Sequence, residues 1–272
     1  MNLRHSMLAA SVGLGLAATA VPAFADGNSC ASLPSWGRLQ SALAAAVAAS
    51  GNGGLGFNMW ATLVANDGTV CAVAFSGDRF TDQWLGSRVI SAQKANTAND
   101  FSLSKGAPPK SSLFPNGLAL STANLYSAVQ PGGSLYGLQH SNPVDPAVAY
   151  QGDARRFGTP FDPLVGQRSG GVNVFGGGLA LYKTGGAKIG AVGVSGDQSC
   201  TDHFVAWHVR HNLKLDFLAG IGPVPGDDAA HPDNIIFDIT ANPNGGTGIS
   251  KSGFGHPTCV NTGDPSTLPA VQ

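Results

Sequence analysis

Two turn signals set most of what this chain can fold into. Asn66-Asp67-Gly68-Thr69 separates two β-rich runs, residues 59–65 and 70–75, and Thr184-Gly185-Gly186 separates two more, residues 172–182 and 189–194. Asn, Asp and Gly tolerate positive φ at little cost, so each turn reverses the chain tightly and pairs its flanking runs antiparallel. A helical pattern follows each hairpin. Over residues 84–101, Leu85, Val89, Ala92 and Ala95 recur near 3.6 spacing with Asp82 placed as an N-cap, and residues 201–217 open on Asp202. Another helix, residues 36–49, precedes the first hairpin and stops at Asn52-Gly53-Gly54. The order α-β-β-α, then β-β-α, predicts an antiparallel β-sheet flanked by helices, an α+β sandwich and not a doubly wound sheet.

Between the two halves, residues 102–171 lose periodicity and are punctuated by Ala107-Pro108-Pro109, Gln130-Pro131-Gly132-Gly133 and Thr159-Pro160-Phe161-Asp162-Pro163. A loop-rich insertion of that length inside a compact domain is either ordered by packing or functional. Tyr126, Tyr136, Tyr150, Phe157 and Phe161 favour packing, because disordered linkers are poor in aromatics. The tail, residues 219–272, is loop-like and packed on the domain, with residues 235–239 placed to add an edge strand.

Residues 1–25 have the form of a secretory leader: a basic start at Arg4, an apolar run over residues 7–20, and Ala23-Phe24-Ala25 as the cleavage site. The expected mature protein begins near Asp26 and is secreted or periplasmic. No stretch reaches the roughly 20 apolar residues of a transmembrane helix with stop-transfer flanks. Gly27-Asn28-Ser29 before Cys30 lacks the lead-in of a lipidation site. In an oxidising compartment Cys30, Cys71, Cys200 and Cys259 favour two disulfides. Zinc is disfavoured, since there is no Cys-x-x-Cys and no His lies within four residues of Cys30 or Cys71. Three pairings are open. Cys30–Cys71 with Cys200–Cys259 is the expected one, each tying a terminal segment to the core.

Charge narrows the function classes. Only 11% of residues are charged and the formal net charge is -1, so no nucleic-acid backbone can be neutralised over many contacts. All 16 acidic residues are Asp. That excludes His-Glu-x-x-His peptidases, Glu-dependent deaminases and Glu-based glycosidase pairs.

Lys94-Ala95-Asn96-Thr97-Ala98 followed by Phe101, and Gly193-Val194-Ser195-Gly196 followed by Asp202, carry a more specific signal. With Asn66-Asp67-Gly68, Arg79 and Gly177-Gly178 they stand in an order and spacing that resembles the GlcG/HbpS-like family, the DUF336-type domain, over residues 57–101 and 172–217. The resemblance implies a profilin/PAS-like α/β sandwich over residues 26–218, carrying the insertion at 102–171, that binds haem and assembles as a homo-oligomer. It also implies that Thr97 lines the ligand pocket from its helix and that Lys94 meets a propionate or carboxylate.

The residues admit plainer roles. Ala95 and Ala98 suit tight packing of a helix on a sheet, and Lys94 suits a surface position with a snorkelling stem. His208 and His211, three apart, share a helical face with Phe204 that suits a porphyrin, whereas His203 points elsewhere. All three are candidate haem contacts that equally suit an interface or solvent. His140 in the insertion is a further candidate, and His231 and His256 in the tail read as incidental. The run 190–196 lacks a P-loop lysine, and Asp197 stands where a nucleophile elbow needs its final Gly. Ser195 and Asp197 therefore read as turn-formers. Arg155, Arg156 and Arg168 either clamp a carboxylate or pair with Asp153 and Asp162.

The expected function is that of an exported haem-binding protein, for haem binding, sensing or storage, with no catalytic residue assigned. The alternatives are a binder or enzyme of small hydroxy- or oxo-acids, with Asp202 as base and Lys94 or Arg79 as anion anchor, and a non-catalytic structural oligomer.

Overall fold

The computed structural model describes residues 29–107 and 114–272. The leader over residues 1–25, its cleavage near Ala25, and Pro108 and Pro109 of the insertion lie outside the described residues. The chain forms helices α1 (Trp36–Val47), α2 (Gly86–Phe101), α3 (Leu138–Ser141), α4 (Pro146–Ala149) and α5 (Ser199–Asn212). The strands are β1 (Trp60–Ala65), β2 (Val70–Phe75), β3 (Gly178–Lys183), β4 (Ala187–Ser195), β5 (Ile239–Thr240) and β6 (Ile249–Ser250). Four of them make one antiparallel sheet in the order β2-β1-β4-β3. Helix α2 covers one face, and α1 with α5 covers the other. This is the α+β sandwich that the two hairpins require.

Both turns close as their residues dictate. Gly68 has φ 84° and the Asp67 carboxylate accepts from Thr69 N at 3.0 Å; Gly185 and Gly186 have φ 91° and 77°. Strand alternation then divides the side chains. Ala61, Leu63, Leu179, Leu181, Val192 and Val194 face α1 and α5, where they meet Leu39, Leu43, Phe204, Val205 and Val209. On the α2 face the cross-strand row is Val73, Thr62, Gly193 and Gly178. Thr62, Gly193 and Gly178 let α2 lie almost on the backbone. Thr62 Oγ1 is 2.7 Å from Ser91 Oγ, and a methyl on Gly193 would overlap the Ser91 carbonyl and lie 2.5 Å from Ala95 N. Ala95 and Ala98 are fully buried in this contact.

Several boundaries differ from those the sequence predicts. Helix α2 starts at Gly86 without a side-chain cap, because Asp82 instead binds the backbone N–H and guanidinium of Arg79. Helix α5 stops at Asn212, and Lys214 just beyond takes a left-handed φ of 59°. Residues 172–177 are not strand: Val172 N donates to Asn142 O and Asn173 N to Thr97 Oγ1. Of residues 235–239 only Ile239 is in a strand, and it pairs with Ser250 in a separate ribbon. The β3 edge is taken by Leu215 and Phe217, which bond the backbone of Tyr182.

The described part of the insertion is ordered, though largely not by the aromatics expected to pack. Phe157 is buried, but Tyr136, Tyr150 and Phe161 are 62%, 53% and 74% exposed. The organising contact is Arg88 of α2. Its Nε donates to Asp162 Oδ2 at 2.9 Å and its Nη1 to Ala149 O at 2.8 Å, and its guanidinium stacks 3.7 Å from the Phe157 ring centroid. Asp162 also accepts from Gly158 N and Leu164 N, at 2.7 and 2.9 Å. Asp162 is thus the partner of Arg88, not of Arg155, Arg156 or Arg168; Arg155 does pair with Asp153, and Arg168 pairs with Asp67.

Disulfides Cys30–Cys71 and Cys200–Cys259 join the segment before α1 to β2 and the tail to α5. The tail is held further by Arg210, bidentate on Asp233 at 2.6 and 2.8 Å, and by Trp207 Nε1 on Pro269 O at 2.9 Å. Among the described residues no helix is long and apolar enough to cross a membrane.

Two glycine substitutions test the α2 contact. Gly193→Ala should destabilise by about 3 kcal/mol, since the helix must be pushed off the sheet. Gly37→Ala, on the open face of α1, should stabilise by about 0.5–1 kcal/mol. Urea unfolding of both variants checks the contrast, and equal effects would contradict it.

Candidate functional site

The sequence-expected site residues do not gather around one opening. Lys94 is fully buried: its Nζ donates to Asp202 Oδ2 at 2.6 Å and to Val194 O at 3.0 Å, and lies 4.7 Å from the Phe175 ring centroid. Burial pushes both members of the pair toward neutrality, Lys94 downward and Asp202 up to about 6, while their mutual attraction opposes both shifts. The carboxylate that Lys94 meets thus belongs to the chain itself, and Asp202 is not free to act as a base on a substrate. Thr97, also fully buried, donates to Gln93 O at 2.8 Å and accepts from Asn173 N at 2.9 Å. Both motif residues therefore hold segment 172–178 against α2. Asp197 shapes the turn as expected, accepting from Leu55 N, Phe57 N and Gln198 N.

The α5 histidines separate. His203 is fully buried beside Trp207, ring centroids 6.0 Å apart, and neither ring nitrogen has a hydrogen-bond partner. Burial, then the charges of Arg210, His256 and Lys94, push it down to about 3. His208 is half-buried, and burial followed by the nearby His211 lowers its pKa. His211 Nδ1 is held 2.7 Å from Asp216 Oδ2. Phe204 lies in the core and shares no open surface with them.

Two cavities share Tyr126 as a wall. One, about 390 Å³, is lined by Tyr126, Tyr136, His140, Val174 and Phe175. Phe175 is the ring beneath which Lys94 sits, so the motif residues stand one layer behind this wall. The other, about 350 Å³, is lined by Tyr126, Phe237, Ile239, Pro257 and His256. His256 is 1% exposed, with its ring 5.0 Å from that of Tyr126. Its Nδ1 donates to Pro257 O at 2.7 Å, and its Nε2 is buried without a partner. Burial pushes its pKa down to about 4 against the Pro257 bond, so the ring is neutral near pH 7. His256, which the sequence reading passed over, has one signal there: Cys259 three residues on fastens its loop to the core.

A third cleft, about 510 Å³, has Trp36, Phe75, Phe80 and Phe157 as walls, with Arg79 and Arg155 beside them. Among the described residues no cluster of three or more His, Cys or Asp side chains is arranged to hold a metal ion.

The orphan imidazole of His203 makes a pH prediction. Its folded pKa, about 3, lies below the 6.5 of the free group, so the unfolded chain takes up the proton first. Its contribution to stability is complete above pH 6.5 and is lost as pH falls toward 3. Relative to His203→Phe, the wild type should lose about 1.4 kcal/mol per pH unit below 6.5. Urea unfolding at pH 7.5 and 5 reads the difference, and a pH-independent difference would contradict it.

The family of HbpS-like haem degrading proteins matches this chain over residues 37–209. Among solved structures, that of a PduOC–haem complex is 22% identical, covers 65% of this chain and 89% of that chain, and has a TM-score of 0.40. A Klebsiella pneumoniae protein, ORFY, of the DUF336 family, is 24% identical, covers 66% of this chain and 90% of that one, and also has a TM-score of 0.40. No curated protein matches. With its family match spanning α1 to α5, the chain belongs to the HbpS-like family.

Proposed function

We propose that this chain is an exported haem-binding protein whose haem lies against Tyr126, between the insertion and the tail. The family to which it belongs is named for haem. The observation that carries the reading to a place is the pair of cavities sharing Tyr126, which offer aromatic walls, Phe175 and Phe237, together with imidazoles from His140 and His256. Flat apolar surfaces with a few polar anchors suit a porphyrin. Haem bound there supplies an iron centre, while the chain's own residues stack on the ring and shield it from water. Lys94 and Thr97 serve this site indirectly, by fixing the segment that bears Phe175.

Export belongs to the same reading: residues 1–25 have the composition of a leader, and two disulfides suit an oxidising compartment. Assembly into a homo-oligomer belongs to it too, as a means of covering Trp84 and Phe161, which are 69% and 74% exposed. A second reading, the binding of small carboxylates, is favoured by the cleft of Trp36, Phe75 and Phe157 flanked by Arg79 and Arg155. A thermal-shift series with small carboxylates addresses it through mass action.

Hemin titration of the mature protein should give a saturable Soret band. Tyr126→Ala and Phe175→Ala should each weaken binding by about tenfold, the loss of about 1.4 kcal/mol of aromatic contact. His208→Ala and His211→Ala should leave the band in place. No band in the wild type, or a band lost only in the α5 variants, would overturn the proposal.

A further inference from the structure

Two imidazoles are sealed where the tail packs on the domain. His203 of α5 is 0% exposed and His256 of the tail 1% exposed. Of their four ring nitrogens only His256 Nδ1 has a partner, Pro257 O at 2.7 Å. A neutral imidazole tolerates such a place, whereas an imidazolium needs acceptors or a counter-charge. The surroundings are basic instead. Arg210 of α5, His256 and Lys94 of α2 all bear on His203 as bases, and Lys94 also bears on His256. The carboxylates of this region are already taken, Asp233 of the tail by Arg210 and Asp202 of α5 by Lys94. The insertion contributes the Tyr126 ring, 5.0 Å from that of His256.

We propose that His203 and His256 form an acid-operated latch: when these rings take up protons, residues 220–258 of the tail come away from α5 and the insertion while the four-stranded sheet stays folded. The stretch is suited to local opening, because its strands are only the two-residue β5 and β6. Its ties to the domain include the Arg210–Asp233 pair and the bonds from Asn124 Nδ2 to Asn234 O and from Ser127 Oγ to Gly255 O, at 2.8 and 2.6 Å. Cys259, joined to Cys200, keeps the opened stretch tethered. Burial holds both rings below the free value of 6.5, His203 at about 3 and His256 at about 4. The open form therefore binds protons first, so the contribution of these rings to docking is complete above pH 6.5 and is lost as pH falls toward 4. Asp227 of the same stretch works the other way: burial, then the charges of Asp233 and Asp228, raise it to about 9, and its contribution to docking fades as pH rises. The latch rests on the fold and not on the haem reading.

Amide hydrogen exchange of the mature protein without hemin, at pH 6.5 and 4.5 and corrected for the intrinsic pH dependence of exchange, tests the latch. Acid should cost residues 220–258 about tenfold in protection while β1 and β4 hold. Asp227→Asn, which removes the opposing group, should deepen the loss to about a thousandfold, and in that background His203→Phe and His256→Phe should each cut it by about fortyfold. His140→Ala, at an exposed position of the insertion, should leave it unchanged. If either Phe variant does not fold, the Gln variant at that position takes its place. Tail protection that is the same at both pH values in the wild type and in Asp227→Asn, or that is lost together with that of the sheet, would overturn the proposal. So would an acid loss that neither histidine substitution diminishes.

Discussion

The Lys94–Asp202 ion pair is the contact on which the arrangement of layers depends. Helices α2 and α5 lie on opposite faces of the sheet, yet a lysine of one meets a carboxylate of the other past the end of β4, where Val194 O also accepts from Lys94. The passage exists because residue 177 is glycine: a Cβ there would lie 3.0 Å from Lys94 Nζ and 3.0 Å from Asp202 Cβ. Both charges are sealed from water, so neither can lose its partner cheaply; breaking such a pair costs on the order of 3–5 kcal/mol. Asp202 is also the acceptor for Asp197 N, which ties the β4–α5 turn to the same point.

The absence of glutamate takes on a physical sense in this setting. Three ion pairs among the described residues are buried, Arg88–Asp162, Lys94–Asp202 and Arg210–Asp233, and each joins segments distant in sequence. A short carboxylate leaves fewer rotamers to freeze than a long one when it is fixed in such a joint. The same residue type caps short helical turns at Asp145, Asp153 and Asp264. A chain with few charges thus spends many of its aspartates on internal joints and caps.

The hairpins and the helices that follow them were legible because turn chemistry and periodicity are local signals, whereas the placing of α2 and α5 on opposite faces of the sheet was not. The insertion was not, because Arg88 sits within a helical pattern and nothing nearby in sequence reveals that Asp162 is its partner. Lys94 and Thr97 drew attention as motif residues, and a motif shows that a residue matters without showing whether it faces a guest or its own chain. His256 was hidden for the opposite reason: it lies in an aperiodic tail, and its burial between a proline carbonyl and a tyrosine ring arises only in the folded chain.

The proposed haem site lies at the seam between insertion and tail, and the motif on α2 is the frame behind it. The most direct measurement is an anomalous difference map at the iron edge from crystals of the mature protein grown with hemin. The proposal predicts an iron peak in the cavities that share Tyr126, with the porphyrin against that ring. A peak beside Thr97, His208 or His211 would contradict it.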